Sequence, residues 1–428
     1  MLIFTIWAGK IIRLLSRLKG GGGSALPGYV VGRLNPYFLK QTLDKLPQGV
    51  IVVTGTNGKT STTKIISGLL SAHGLRVLTN RSGGNFVRGI ISTIIQRIKW
   101  TGELPYDIAV FEQDEAYAVQ FVHQYRPRGV VALNVGRDQM DRFGEIDKTA
   151  NLIGQVVAAA KDWVVLNAND PRIAALKPDK SIKTRWFGHD RRLAGNFVVD
   201  DQHHAGQKAK FFQAAKPDVC LYGVKPGEVY LNVKEEPYVF KTALDGTQNA
   251  LNVAAALATL LAAHPEASTD TVAVALAAAQ PAFGRGERIV LKNGSHLRLQ
   301  LVKNPSSFNH NLRHLADQKY GVVGIAINDD YADGRDVSWL WDVDFSPLSK
   351  QPSTILCGGA RAYDMAVRLQ YQGRNFDGVT TSLPKFLQLV LSADQSGTQG
   401  VIFCTYTAML RLRRMLKPHA TQMDKEGL

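Results

Sequence analysis

Chemistry concentrates first in Thr54-Gly55-Thr56-Asn57-Gly58-Lys59-Thr60, between the β-branched run Val50-Ile51-Val52-Val53 and an amphipathic stretch through Leu70. A glycine turn joining strand to helix collects backbone N–H groups at the positive end of the helix dipole, where phosphate oxygens bind. Gly55 and Gly58 permit a close backbone approach, Lys59 can neutralise β- and γ-phosphates, and the Thr60 hydroxyl can ligate magnesium. Lys59 is expected to be exposed on this loop. The spacing departs from the usual phosphate loop, whose first glycine would fall at Val53. Magnesium needs another oxygen ligand, and Glu112 closes the apolar run Ala109-Val110-Phe111 at a strand C-terminus, where α/β sheets bind ligands. A solvated surface carboxylate is the plain alternative for Glu112.

The three cysteines, Cys220, Cys357 and Cys404, form no Cys-x-x-Cys pair, and none lies on a Gly-x-Cys-x-Gly turn. A disulfide framework and a nucleophile elbow are therefore both unreadable, and a reducing compartment fits best. Among 428 residues, 51 Lys+Arg against 36 Asp+Glu leave a net charge of +15, which favours polyanions without choosing among them. No aromatic-interleaved basic patch supports nucleic-acid binding.

The elements that must position the loop alternate. Short apolar runs at Ile108–Phe111, Gly129–Leu133 and Trp163–Leu166, with helical periodicity at Leu152–Ala160, predict a parallel α/β sheet. Residues 176–245 are polar and hard to assign; Asn249–Ala263 reads as a strong Ala/Leu helix. A second α/β series follows at Gly321–Ile327, Ser353–Leu356 and Gly400–Phe403, and a domain boundary is expected near residue 290. At the N-terminus, Ile3, Phe4, Trp7, Ile11, Leu14, Leu15 and Leu18 make a helical apolar stripe, with Lys10, Arg13 and Arg17 on another face. The run is too short to span a bilayer. It could lie on an anionic membrane surface or pack on protein, and the Gly20–Gly23 run then ends it.

Residues 55–60 read Gly-Thr-Asn-Gly-Lys-Thr, and further words follow in order: Asn134-Val135-Gly136 with Arg137 to Gly144, Asn167-Ala168-Asn169-Asp170-Pro171, Gly246-Thr247-Gln248-Asn249-Ala250-Leu251-Asn252, and Gly284-Arg285-Gly286-Glu287. In these the chain resembles the Mur ligase superfamily over most of residues 47–290. Within it the closer resemblance is to the MurT family, carried by Arg137 to Asp147, Lys303-Asn304-Pro305, Asn328-Asp329 and Ala332-Asp333-Gly334-Arg335-Asp336-Val337-Ser338-Trp339. Gln139 stands where amino-acid-adding Mur ligases usually have His, and Leu26-Pro27-Gly28 is also MurT-like.

The resemblance implies a Mur ligase-type central P-loop ATPase domain with a parallel sheet at 47–290, after a basic amphipathic helix and lead-in at 1–46. A smaller Rossmann-like α/β C-terminal domain at 291–428 would contact a glutaminase partner. It implies ATP and Mg2+, with Gly55, Thr56, Asn57, Gly58, Lys59 and Thr60 at the phosphates, Asn249 facing adenine and Arg285 the phosphate or ribose. Thr60 and Glu112 would hold Mg2+, and Lys59, Glu112 and Asp336 would serve catalysis. By the same resemblance, Asp336 completes the Cys-His pair of a GatD-like glutaminase in a heterodimer; otherwise it caps the following turn or pairs with Arg335.

The reaction implied is amidation of the D-glutamate carboxylate of the lipid II stem peptide to D-isoglutamine through an acyl-phosphate. Without a nucleophile elbow of its own, the chain would take ammonia from the partner, in the cytoplasm or at the inner face of the membrane. The alternatives are a stand-alone amide ligase of the folylpolyglutamate synthase kind and a nucleotide sensor without turnover. MurT proteins commonly carry a four-cysteine zinc ribbon; this chain has only Cys220 in that region, with His189, His203 and His204 upstream, so no zinc ribbon is expected.

Overall fold

The computed structural model describes residues 1–18, 26–80, 84–136, 146–197, 211–280, 285–316, 319–349, 353–393 and 399–423. The chain divides into two compact units, one built mainly from residues up to Gln280 and the other mainly from Pro281–Leu428.

The first unit is organised by a nine-stranded sheet in the order β2-β3-β1-β4-β5-β6-β7-β8-β9. Its strands are β1 (Val50–Thr54), β2 (Val77–Thr79), β3 (Ile108–Glu112), β4 (Gly129–Ala132), β5 (Trp163–Asn167), β6 (Lys183–His189), β7 (Val219–Lys225), β8 (Glu228–Val233) and β9 (Glu236–Lys241). From β2 through β7 neighbouring strands are parallel, and β7-β8-β9 is an antiparallel meander. Every residue of β1, β3, β4 and β5 is buried, as parallel strands covered on both faces require. The parallel α/β sheet expected from the alternating runs is therefore present. The segment 176–245, unassigned from sequence, supplies four strands. Their mixed burial, as in β6, leaves no clean apolar run to read.

Because β3 and β4 flank β1 on opposite sides, the crevice at the C-terminal end of β1 lies at a topological switch point, where open α/β sheets bind ligands. The Ala/Leu helix Thr247–Ala263 is buried over nearly its whole length; its small residues let it pass close to the helix Lys59–Ala72 and to β5, β6 and β7.

The second unit holds a seven-stranded sheet in the order β14-β13-β12-β15-β11-β10-β16. Its strands are β10 (Arg285–Leu291), β11 (His296–Leu301), β12 (Val322–Ala326), β13 (Thr354–Gly358), β14 (Gly378–Thr380), β15 (Gln399–Cys404) and β16 (Ala420–Met423). β11 to β15 pair in parallel, whereas β10 runs antiparallel to both β11 and β16. Alternate residues feed opposite cores: Val323, Ile325 and Phe403 pack with Phe308 and Met365 on one face, Val322, Ile402 and Cys404 with Phe386 and Leu412 on the other. This is an α/β arrangement, as expected for the domain that follows the central one. The break expected near residue 290 would fall inside β10, which is hydrogen-bonded into this second sheet, so 285–290 go with the C-terminal unit.

Candidate active site

The loop after β1 is shaped by two glycines with positive φ, Gly55 at 127° and Gly58 at 87°. That region is strained for any residue with a Cβ, and at Gly58 a Cβ would stand 2.4 Å from Asn252 Oδ1 on the buried Ala/Leu helix. Gly58 is thus both the left-handed turn into the helix Lys59–Ala72 and a close contact between that turn and Asn252.

Two neighbouring strand ends hold the loop. After β4, Asn134 clamps it by accepting from Asn57 N on Oδ1 (2.8 Å), donating from Nδ2 to Asn57 O (3.0 Å), and accepting from Thr56 N on its backbone oxygen (3.0 Å). Gly136 N donates to Thr56 Oγ1 at 2.8 Å. A further layer holds the clamp: buried Asp170, at the end of β5, accepts from Val135 N (2.8 Å) while capping its own turn through Arg172 N and Ile173 N. Burial pushes the Asp170 carboxyl above its usual range, against the pull of these three N–H donors. The Asn167 to Pro171 word is therefore structural support for the phosphate loop.

On the other side, Val53 pairs with Glu112, which brings the end of β3 beside the loop. Asn80 fixes that end, accepting from Glu112 N and donating to Glu112 O, both at 2.9 Å. Thr60 Oγ1 donates to Glu112 Oε1 at 2.9 Å, so the two expected magnesium ligands converge. Lys59 is not exposed as the loop position suggested. Only 6% of its surface is accessible, and its Nζ lies 3.3 Å from Asp114 Oδ1, 3.7 Å from Glu115 Oε1 and 3.4 Å from Thr56 O. Burial outweighs the Lys59 charge at Glu115, and Asp114 adds to the effect, so the Glu115 carboxyl is pushed up to about 7.

Of the remaining expected residues, Asn249 lies in the first turn of the Ala/Leu helix, half-buried, with Nδ2 donating to Asp245 O at 2.8 Å. Arg285 begins β10 in the second unit. Asp336, also in that unit, is exposed, and its Oδ1 accepts from Ser338 N, two residues on, at 2.8 Å, just before the turn Ser338–Asp342. It borders a surface pocket with Arg335, Ser338, Trp341, Arg361 and Asp364. Its neighbour Asp333 is buried and bonded to Thr407 N and Oγ1, which makes it a structural residue. Residues 137–145, with Gln139, lie outside the described residues, as do His203, His204 and Gly284. His189 is buried, with Nδ1 3.0 Å from Asp190 O, and burial pushes the Cys220 thiol up to about 11.

Sequence reasoning had taken from Glu112-Gln113-Asp114-Glu115 only the first residue as a ligand. Asp114 and Glu115, which grip Lys59, and the clamps Asn80 and Asn134, went unassigned. The density of acidic residues just past a buried strand was the available signal for the first pair.

The donor set fits a nucleoside triphosphate with a hard divalent cation. The glycine turn leaves room for phosphate, Lys59 supplies positive charge, and Thr60 and Glu112 offer a hydroxyl and a carboxylate oxygen of the kind such cations take. Thr54 Oγ1 and the Gln113 amide, buried at the base of the loop, lack partners among the described residues and leave polar capacity there.

The Mur ligase middle domain matches residues 53–260 and the MurT ligase C-terminal domain residues 301–409. Among solved structures, the MurF ligase of Thermotoga maritima in complex with ADP superposes with a TM-score of 0.68 at 16% identity, over 89% of this chain and 82% of that one. Fold and site together define an ATP-dependent amide ligase of the Mur ligase type. The MurT subunit of lipid II isoglutaminyl synthase (glutamine-hydrolyzing) from Streptococcus pneumoniae is 31% identical over 94% of both chains; that of Staphylococcus aureus strain COL is 30% identical over 84% of this chain and 86% of its own. The chain belongs to the MurT family.

Proposed function

We propose that this protein is the synthetase subunit of a two-protein enzyme that amidates the D-glutamate carboxylate of the lipid II stem peptide to D-isoglutamine. The observation that carries the reading is the convergence of Lys59, Thr60 and Glu112 at the switch point of the first sheet, in a chain similar along most of its length to the named MurT subunits.

A carboxylate is a poor electrophile until one oxygen becomes a leaving group. The substrate carboxylate oxygen attacks the γ-phosphorus of ATP and ADP departs; ammonia then attacks the acyl carbon, phosphate leaves, and the nitrogen loses a proton. Thr60 and Glu112 would hold Mg2+, whose charge offsets that of the phosphates. Lys59 stabilises charge moving onto the β–γ bridge, with Asp114 and Glu115 keeping its ammonium aimed at the loop. Asn249 is assigned to the adenine and Arg285 to the phosphate or ribose, on the matched words alone. All three cysteines are free and burial pushes each thiol upward, so none is an activated nucleophile; ammonia comes from a GatD-like glutaminase. Asp336 serves that partner by orienting its catalytic histidine. The setting is the cytoplasmic side of the membrane.

The test is ATP turnover and product analysis with lipid II and, in turn, ammonium, glutamine plus the glutaminase, and free amino acids. Amidation with ammonium and with glutamine is expected; amino-acid addition without amidation would favour the stand-alone ligase. Asp336→Asn in the complex is expected to abolish glutamine-dependent amidation and spare the ammonium-dependent reaction. Equal loss with both nitrogen sources would assign Asp336 to the synthetase site.

A further inference from the structure

The N-terminal helix Leu2–Leu18 presents to solvent the face that a packed amphipathic helix hides. Thr5, Ile6 and Gly9 are its buried positions among the described side chains. Ile3, Phe4, Trp7, Ile11, Leu14 and Leu15 are the outward ones, all large and apolar and 49–72% exposed. At 3.6 residues per turn these six fall within an arc of about 120°, one continuous stripe. The helix cannot roll to hide it, because Gly9 is seated against Val31 and Ile95, where even a Cβ would come within 2.7 and 2.9 Å. Trp100, itself 55% exposed, extends the edge of the stripe: its backbone oxygen accepts from Trp7 Nε1 at 3.0 Å, and Lys10 Nζ lies over its ring.

Charge selects the occupant. Residues 1–43 contain Lys10, Arg13, Arg17, Lys19, Arg33 and Lys40 and not one Asp or Glu. Burial, with a smaller contribution from the nearby Arg13 charge, holds the Lys10 ammonium below its usual range at the border of the stripe. A second copy of the same segment would set like charges against each other. An anionic lipid surface instead takes the apolar residues at its acyl boundary, the indole rings at the headgroup level and the basic residues against its phosphates. No described helix is long and apolar enough to cross a membrane, so the chain would lie in the surface plane.

We propose that Leu2–Leu18 is an in-plane anchor that seats this protein on an anionic phospholipid surface. The anchor stands independently of the reaction proposed above, since it uses neither the phosphate loop nor the partner.

The test is cosedimentation of the full chain with large vesicles of phosphatidylglycerol or of phosphatidylcholine, at about 0.1 M and about 0.5 M salt. Binding to phosphatidylglycerol that weakens at high salt, and little binding to phosphatidylcholine, is expected. The variant Phe4→Ser/Leu14→Ser/Leu15→Ser should bind at least about tenfold more weakly, because three of the six inserted side chains are lost. Lys10→Gln/Arg13→Gln should bind phosphatidylglycerol about tenfold or more weakly and show a reduced preference for it, since two of the six cations are removed. The triple variant changes outward side chains and the double variant replaces half-buried cations by polar residues of similar length, so circular dichroism and ADP binding of both should match the wild type. Failure of the wild type to sediment with phosphatidylglycerol, or undiminished binding by the triple variant, overturns the proposal. A dimer or a glutaminase complex that the triple variant dissolves, without vesicle binding by the wild type, would assign the stripe to protein instead.

Discussion

Replacing Gly58 by alanine tests whether the loop is held open by Asn252, and the cost can be worked from two separable parts. The first is backbone: φ of 87° is unfavourable to any L side chain by about 1–2 kcal/mol. The second is steric, since the new methyl would lie 2.4 Å from Asn252 Oδ1 and 3.3 Å from its Cγ, on a helix buried along nearly its entire length that cannot retreat. Overpacking of this kind adds about 1–3 kcal/mol. The total, roughly 2–5 kcal/mol, corresponds to a fall in Tm of about 4–20 °C for a unit of this size. Gly74 is the internal control. Its φ is 84°, yet a Cβ there meets nothing within 4 Å, so Gly74→Ala should show the backbone part alone. Differential scanning calorimetry of both variants, with isothermal titration of ADP, reads stability and site together. Asn252→Ala combined with Gly58→Ala should recover the steric part only. Equal melting of the Gly58 and Gly74 variants, or no relief from the Asn252 change, would refute the argument that this contact shapes the loop.

Lys59→Ala should abolish turnover and also lower stability, because it strips the countercharge from buried Glu115; adding Glu115→Gln should restore the melting temperature and leave activity absent, as calorimetry and an ATPase assay would show. Thr60→Ala and Glu112→Gln should each shift the divalent-cation titration of turnover to higher concentration, and unchanged titrations in both would remove the pair from the metal site. The raised Glu115 carboxyl sets a pH dependence: the folded state keeps a proton that the unfolded chain releases near 4.5, so this group costs stability as pH rises from there through about 7. Melting temperature in the absence of nucleotide should fall across that window, and Glu115→Gln should flatten the fall; a parallel fall in the variant would assign it to other groups.

The phosphate loop was legible because its strand, turn and helix are contiguous, and each part carries its own local signal: a β-branched run, paired glycines and helical periodicity. The contacts that operate it were not. Asp114 reaches Lys59 across 55 positions and Asn134 reaches Asn57 across 77, and no local pattern encodes such pairings. Expecting Lys59 at the surface failed for the same reason, since its burial comes from residues after β3. In the N-terminal helix the stripe itself was plain, but the face turned outward depended on where Gly9 meets Val31 and Ile95. Strands β6 to β9 escaped assignment because half-buried strands carry polar residues at many positions, and β10 was split from its sheet because its partner β16 lies more than a hundred residues away.

That pairing of β10 with β16 places the entrance and exit of the C-terminal unit side by side: Ile289 stands opposite Met423 and Val290 opposite Gln422. Topologically the seven-stranded sheet is a closed cassette whose two ends leave through one doorway. Such a body can be spliced into, or out of, another chain with short linkers and no stretching of its sheet. Recombination could move it as one piece, provided the cut falls before β10 and after β16; a cut at residue 290 would sever the doorway and leave an edge strand unpaired.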